Sequence, residues 1–195
     1  IEEFARNSSV PVINGLTDLF HPCQILADLL TIFEKKKKLS GLKVAFVGDG
    51  NNNIVHDLLL GCCAVGIDIS VGCPMENKPQ DWIVEIAKQK ARVSGSEIAI
   101  TDDPIRAVEY ADVVYTDTWM SYHVSSEEKE SRLKIFSAYQ VNKKLMSFAR
   151  KNALFMHCLP AERGCEVSAE VIDGAQSVVL DQAENRMHMQ KAVIL

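Results

Sequence analysis

The sequence has no long apolar run, and no segment approaches the roughly 18 apolar residues that a membrane-spanning helix needs. It also lacks the basic and apolar start of a secretory signal peptide, since Ile1 is followed by Glu2 and Glu3. A basic stripe is missing too: the one cationic run is residues 35–38, and the net charge is −5. We therefore expect neither a membrane nor a nucleic-acid partner.

Cysteines with metal-ligand spacing are absent as well. The six cysteines include no CxxC pair and no His/Cys arrangement typical of a zinc site. At 195 residues and 47% hydrophobic content, the chain is not a short disulfide-stapled scaffold and can bury a sizeable core. We expect mostly buried thiols, no metal site and a cytoplasmic location.

Apolar runs typical of strands alternate with helical patterns along the chain. The predicted strands are residues 10–13, 42–47, 67–71, 97–101, 112–116, 153–156 and 177–180. The predicted helices are residues 21–35, 53–65, 81–93, 104–110, 126–136, 141–151 and 184–195. This alternation predicts an α/β fold, a three-layer Rossmann-like domain in which helices cover both faces of a central parallel sheet.

Three of the predicted strands end in polar clusters. The clusters are Asp49-Gly50-Asn51-Asn52-Asn53, Asp117-Thr118-Trp119-Met120-Ser121 and His157-Cys158-Leu159-Pro160. Ligands of open parallel sheets bind beyond the carboxyl ends of the strands, so we expect the three clusters to converge on one binding site.

The turn Gly48-Asp49-Gly50 resembles the start of a dinucleotide fingerprint, but a third glycine at the expected spacing is missing. The following strand ends without the acidic residue that would hold a ribose. A nucleotide-binding Rossmann-like domain without catalytic activity therefore stays only as an alternative. The asparagines after the turn suit a carboxylate at a helix N-terminus, although at least one of them is expected only to cap the helix.

The other clusters allow two interpretations each. Asp117, with the hydroxyl of Ser121 four residues on, can bind an ammonium group or can merely cap a turn. Cys158 with His157 invites a Cys–His nucleophile pair, but adjacent residues at a strand end point in opposite directions. Cys158 is therefore better interpreted as a ligand for a substrate amine. His21 and Gln24 share one helix face, where both can donate to an oxygen.

Taken together, these segments resemble the aspartate/ornithine carbamoyltransferase family. The matching segments occur in the family's order at residues 14–24 (NGLTDLFHPCQ), 48–53 (GDGNNN), 117–121 (DTWMS), 157–160 (HCLP) and 184–186 (ENR). They cover essentially the whole chain. His-Cys-Leu-Pro indicates the ornithine branch, because aspartate members of the family typically have His-Pro-Leu-Pro there.

The resemblance implies transfer of the carbamoyl group of carbamoyl phosphate to the δ-amine of L-ornithine, giving L-citrulline and phosphate, without a cofactor. His21, Gln24 and Arg186 would bind carbamoyl phosphate. The ornithine ligands would be Asn52 or Asn53 for the carboxylate end, Asp117 and Ser121 for the α-amino group, and Cys158 and Leu159 beside the δ-amine. Of these residues, Cys158, Asp117, His21 and Arg186 are the expected catalytic ones.

The chain departs from the family in three places. A Ser-x-Arg-Thr phosphate loop is absent from the sequence, which implies a fragment that is inactive alone. Ser121-Tyr122-His123 replaces the Ser-Met-Gly of the ornithine branch, so Tyr122 enters the loop expected to cover the substrate. One more asparagine than in many relatives follows the Gly-Asp-Gly turn, which leaves the choice between Asn52 and Asn53 open.

The resemblance also implies a division of the chain and an assembly. Residues 1–38 would be the tail of a carbamoyl-phosphate domain, with a strand and a linking helix. Residues 39–184 would be the ornithine domain, and residues 185–195 the start of a helix that returns to the first domain. A homotrimer is expected of the full-length protein. A sister carbamoyltransferase acting on putrescine or a modified ornithine is a further alternative, although putrescine offers no α-amino group to Asp117.

Overall fold

The computed structural model describes residues 1–120 and 126–195. The strands in these residues are β1 (Lys43–Val47), β2 (Asp68–Gly72), β3 (Ile98–Thr101), β4 (Val113–Thr116) and β5 (Leu154–His157). The α-helices are α1 (Glu2–Asn7), α2 (Pro22–Lys36), α3 (Asn53–Ala64), α4 (Asp81–Ser94), α5 (Pro104–Val108), α6 (Ser126–Phe136), α7 (Lys143–Met146), α8 (Ala169–Ile172) and α9 (Val179–Ile194). Short 3-10 helices lie at Met75–Asn77 and Ser137–Tyr139.

The five strands form one parallel sheet in the order β3-β2-β1-β4-β5. From β1 the chain builds outward through β2 and β3, and then adds β4 and β5 on the other side of β1. The ligand crevice of such a sheet lies at the carboxyl ends of the strands where the order reverses. The turns after β1 and β4 therefore flank the expected crevice.

Alternate residues of the central strand β1 face opposite layers of helices. Val44 and Phe46 belong to an apolar cluster with side chains of α2, α3 and α4. Ala45 and Val47 belong to a second cluster with side chains of α5, α6, α7 and α8. The predicted α/β architecture, a parallel sheet with helices on both faces, is thus confirmed.

Helices α2 and α9 pack against each other beside the sheet. Pro22 occupies the first turn of α2, where its missing N–H costs nothing and its fixed φ is already helical. In the buried contact, the amide of Asn185 donates to Thr31 Oγ1 over 2.9 Å and to Glu34 Oε2 over 2.8 Å. This pairing brings the neighbouring Arg186 close to the start of α2.

The predicted strand at residues 177–180 is wrong. Ser177 makes a single bridge to Phe155, and helix α9 begins two residues later at Val179. A short run such as Ser-Val-Val-Leu has no periodicity that separates a strand from a buried helix start. The helix predicted from residue 184 consequently starts one and a half turns earlier, because Val179 and Gln182 are buried on its inner face.

Two other predicted elements also differ. Residues 10–13 are not a strand, because no partner strand lies beside them in the described part of the chain, and Val10 and Ile13 are exposed. The helix predicted at residues 141–151 is reduced to α7. Val141 instead forms a bridge with Val167, and the Tyr110 N–H donates to the carbonyl of Phe148. Among the described residues, no helix has the length and apolar character needed to cross a bilayer.

Candidate active site

A cleft of about 680 Å³ opens at the carboxyl edge of the sheet. The turn after β1, the segment after β4 and the segment after β5 all reach it, as the position of the polar clusters predicts. The segment before α2 forms the opposite wall with His21. Charged and polar residues of the lining include His21, Asp49, Asn53, Asp117, Arg132 and Cys158.

Asp117 and Cys158 form a hydrogen-bonded pair on one wall. The Cys158 thiol donates to Asp117 Oδ1 over 3.0 Å, and the same oxygen accepts the Thr118 N–H over 2.8 Å. Burial, followed by the charge of Asp117, raises the pKa of Cys158 well above its ordinary value. Burial also raises the pKa of Asp117. Cys158 is therefore a neutral thiol that is poorly suited to act as a nucleophile.

His157 lies behind the cleft and is fully buried. Its Nδ1 accepts the Leu159 N–H over 2.9 Å, and its Nε2 lies 3.3 Å from Glu166 Oε1. The Nδ1 lone pair is thereby occupied, so the ring is not placed as a base for the Cys158 thiol. The bond to His157 also holds Leu159, whose φ of 60° is left-handed and strained for a leucine.

Asp117, His157 and Cys158 each place one possible metal-ligand atom within 4.8 Å of the other two. Asp117 and Cys158 already satisfy each other, and His157 Nδ1 is already bound to a backbone N–H. A metal would need the Cys158 thiol to lose its proton, which burial opposes. This hydrogen-bonding pattern suits a polar substrate better than a metal ion.

His21, which lines the cleft on the opposite wall, meets Gln24 and Arg186; these two residues are not part of the lining, and Gln24 is buried. Arg186 Nη1 donates to Gln24 Oε1 over 2.6 Å and lies 3.3 Å from His21 Nε2. Burial, followed by the charge of Arg186, lowers the pKa of His21 to about 4. His21 is therefore neutral at physiological pH. Gln24 presents its oxygen to Arg186, and its Nε2 donates to Asp28 Oδ1.

Two of the three asparagines after β1 serve the backbone. Asn52 is the N-cap of α3: its Oδ1 accepts the Val55 N–H over 2.9 Å, and its Nδ2 donates to the Asp49 carbonyl over 3.0 Å. The expectation that at least one asparagine caps the helix is thus confirmed. Asn53 donates from Nδ2 to the Thr17 carbonyl over 2.9 Å, which ties this turn to the segment before α2.

Arg132 is a cleft residue that sequence reasoning missed. Its Nη2 lies 2.5 Å from Asp49 Oδ2, and its Nε donates to the Trp119 carbonyl over 2.7 Å. The guanidinium also lies 5.0 Å from the ring centre of Phe136. Arg132 thereby joins the turn after β1 to the segment after β4. No pattern around it in the sequence marks this role. The predicted ligands Ser121 and Tyr122 lie outside the described residues.

The family model for the Asp/Orn-binding domain of aspartate/ornithine carbamoyltransferases matches residues 40–195, and the model for the carbamoyl-phosphate-binding domain matches residues 1–34. The chain belongs to the aspartate/ornithine carbamoyltransferase family. Two curated relatives are ornithine carbamoyltransferases of Caldicellulosiruptor saccharolyticus and Bacillus subtilis. Each is 53% identical over the whole chain, which covers 63% and 60% of their respective lengths.

Solved structures of the family superpose closely on the chain. Ornithine carbamoyltransferase from Pyrococcus furiosus gives a TM-score of 0.94 at 49% identity, with 99% of this chain and 61% of that chain covered. The enzyme from Gloeobacter violaceus gives 0.92 at 46% identity, with 99% and 64% covered. The chain thus spans less than two thirds of the length of these relatives.

Proposed function

We propose that the chain forms the amino-acid-binding part of an enzyme that transfers the carbamoyl group of carbamoyl phosphate to the δ-amine of L-ornithine. The observation that carries this proposal is one cleft with two chemically different walls. Arg186, Gln24 and neutral His21 suit the oxygen atoms of carbamoyl phosphate, whereas Asp117 and Cys158 suit an amine. The high identity to ornithine carbamoyltransferases supports the same reaction.

On the carbamoyl-phosphate wall, Arg186 supplies a fixed positive charge and His21 an imidazole that is neutral. We propose that both act on the carbonyl oxygen of the substrate, where negative charge grows as the amine attacks. Donors that are already in place stabilise this charge without having to reorganise during the reaction. Gln24 is buried and holds Arg186 through its oxygen.

On the amine wall, Asp117 receives the α-ammonium group of ornithine, together with Ser121 and Tyr122. Asn53, rather than the capping Asn52, is the candidate for the carboxylate end, because both polar atoms of the Asn52 side chain are already bonded. Cys158 and the strained Leu159 backbone lie beside the δ-amine. The neutral thiol orients this amine and forms no bond to the substrate.

The reaction then needs only the correct placement of two small molecules. The lone pair of the neutral δ-nitrogen attacks the carbonyl carbon, the bond from that carbon to the phosphate oxygen breaks, and the leaving phosphate takes up the proton that the nitrogen loses. Phosphate leaves and citrulline forms. Holding both reactants in attacking geometry lowers the entropic part of the barrier. The chain's own residues thus provide positioning and electrostatic stabilisation, without a cofactor.

The division at residues 1–38, 39–184 and 185–195, the homotrimer and the cytoplasmic location are parts of the same proposal. All six cysteines are unpaired, which a reducing compartment such as the cytoplasm favours. Phosphate-binding residues would come from the remainder of the full-length protein. We therefore expect residues 1–195 alone to form no citrulline.

The test compares citrulline formation by the full-length polypeptide and by residues 1–195, with ornithine or putrescine as the amine. We expect that only the full-length polypeptide is active, and that it accepts ornithine but not putrescine. Activity with putrescine in place of ornithine would replace the assigned substrate. If calorimetry detects binding of NAD but no binding of ornithine or carbamoyl phosphate, the result would contradict the enzyme assignment and favour a nucleotide-binding domain.

A further inference from the structure

Three hydrogen-bond donors converge on Asp28, a buried acid of α2 outside the cleft lining. Asp28 Oδ1 accepts from the amide nitrogens of Gln24 over 2.8 Å and Gln182 over 2.7 Å. Asp28 Oδ2 accepts from the Tyr115 hydroxyl over 3.1 Å. The carboxylate is only 1% exposed. These contacts come from α2, α9 and β4, so Asp28 lies at the junction of the three elements.

The two glutamines reach from Asp28 to opposite walls of the site. The oxygen of Gln24 accepts from Arg186 Nη1 over 2.6 Å. The oxygen of Gln182 accepts from the backbone N–H of His157, the residue before Cys158, over 3.0 Å. An arginine side chain and a backbone N–H can only donate. Each glutamine must therefore turn its oxygen outward and its NH₂ group inward.

A glutamine amide can be rotated by a half turn with little change in shape, so packing alone does not select this orientation. The donors at the outer ends favour it, and the acceptors at the inner end complete it: Asp28 for both amides, and also the Tyr115 hydroxyl for Gln182. We propose that Asp28 is a positioning residue whose carboxylate orients the amides of Gln24 and Gln182, and thereby holds Arg186 on one wall and the strand end before Cys158 on the other. This inference rests on the proposed function, because it assigns both walls to one reaction.

The hydrogen-bond pattern also explains why an acid occupies this position. All three neighbours donate, so an ionised carboxylate satisfies them without a proton of its own. Burial raises the pKa of Asp28 to about 7, while the bonds from Gln24, Gln182 and Tyr115 and the charge of Arg186 oppose the rise. A buried acid is expensive to ionise, and an apolar core residue would pack here at lower cost. The hydrogen bonds indicate why an acid is nevertheless present: it orients the two amides.

The test uses three substitutions in the full-length polypeptide. Asp28→Leu has a similar shape but no acceptor, and we expect the KM for carbamoyl phosphate to rise about tenfold, as for a lost bond to a charged group. Asp28→Asn keeps one oxygen for both amides and should stay within about twofold of the wild type. Tyr115→Phe removes the hydroxyl that donates to Asp28 and accepts from Gln182, but it leaves the bond between Gln24 and Asp28 intact. It is therefore the matched control, with a similarly small effect on the KM for carbamoyl phosphate.

A double substitution distinguishes orientation from general damage to the core. In a Gln24→Ala background, Asp28→Leu should no longer raise the KM for carbamoyl phosphate, because the side chain through which it acts is gone. A rise that persists undiminished in this background would overturn the proposal. Equal losses for Asp28→Asn and Asp28→Leu would overturn it too, since charge and not orientation would then matter.

Two further measurements cover the remaining outcomes. If Asp28→Leu does not fold, Asp28→Ser takes its place, because its short hydroxyl bonds within its own helix and cannot reach both amides. If the wild type forms no citrulline, the proposed function fails, and NMR still tests the orientation. The side-chain NH₂ signals of Gln24 and Gln182 should exchange slowly with solvent in the wild type and Asp28→Asn, and quickly in Asp28→Leu. Equal exchange in all three would contradict the role of Asp28.

Discussion

The two walls of the cleft are built in different ways. The amine wall consists of the ends of neighbouring parallel strands, β4 and β5, whose register places Thr116 beside His157 and hence Asp117 beside Cys158. The carbamoyl-phosphate wall consists of His21, held by Gln24 of α2 and Arg186 of α9, two helices that lie far apart in the sequence and meet only through packing. The first wall follows from local order in the sheet, and the second depends on tertiary contacts.

The charges of the walls differ in the same way. The amine wall contains an acid and a neutral thiol that hydrogen-bond to each other. The other wall contains Arg186 beside His21, which is kept neutral by burial and by that arginine. Under the proposed function, a wall suited to a cation thus faces a wall suited to an anion across one cleft. A substitution on the amine wall should consequently change the KM for ornithine, and one on the other wall the KM for carbamoyl phosphate.

The largest effect is expected for Asp117→Asn. The change keeps the shape but removes the charge that receives the α-ammonium group, so kcat/KM for ornithine should fall about 100-fold in the full-length polypeptide. The KM for carbamoyl phosphate should change little. Asp173→Asn, an exposed acid paired with Arg163, is the matched control. If kcat/KM fell equally for ornithine and for carbamoyl phosphate, the assignment of one wall to each substrate would be contradicted.

Arg186→Lys should act on the opposite wall. Lysine keeps the charge but cannot contact Gln24 and His21 with one planar group, so the KM for carbamoyl phosphate should rise about 30-fold. Arg150→Lys, at an exposed arginine on the far end of β4, serves as control. Steady-state kinetics with each substrate varied in turn gives the result. An unchanged KM for carbamoyl phosphate would remove Arg186 from this wall.

Cys158→Ser should lower ornithine use and turnover by about tenfold while leaving the fold intact, because the hydroxyl is smaller and contacts Asp117 differently. If Cys158 were a nucleophile, its replacement would abolish nearly all activity of the enzyme. The size of the loss therefore separates an orienting ligand from a nucleophile. Cys63→Ser, in the buried face of α3, reports the cost of the same change away from the cleft. A silent Cys158→Ser would show that the site assignment is wrong.

The ion pair of Asp49 and Arg132 joins the turn after β1 to the segment after β4, and both side chains are mostly buried. Arg132→Gln leaves Asp49 without its partner and should lower the free energy of unfolding by about 1–2 kcal/mol. Chemical denaturation measures this change. In an Asp49→Asn background the further loss should be small, because the acid that needs a partner is gone. Additive losses would mean that the pair is not coupled.

The smallest effect concerns pH. The pKa of His21 is about 4 in the folded protein and 6.5 in a model peptide, so the unfolded chain takes up a proton first as the pH falls. The contribution of neutral His21 to the free energy of unfolding is therefore complete above pH 6.5 and is lost towards pH 4. After discounting for partial exposure, it should be on the order of 1 kcal/mol. His21→Gln should flatten this part of the curve of unfolding free energy against pH.

Much of the fold could be predicted because strands and helices alternate with clear punctuation. The failures have physical causes in particular residues. Ser177 to Leu180 is a short apolar run that fits a strand or a helix start equally well, and the packing of Gln182 against Asp28 and Tyr115 favours the helix. Residues 10–13 look like a strand, but they have no strand to pair with in the described part of the chain.

The sequence by itself determined which chemistry lies at the edge of the sheet. A strand that ends in Asp117 and another that ends in Cys158 must present both at the carboxyl edge, because parallel strands share that edge. Tertiary structure alone decided how the groups are held: Asp28 between two glutamines, and Arg132 on Asp49. The physical reason is that hydrogen bonds between residues as distant as Asp28 and Gln182 depend on how helices pack, and no spacing along the chain encodes that contact.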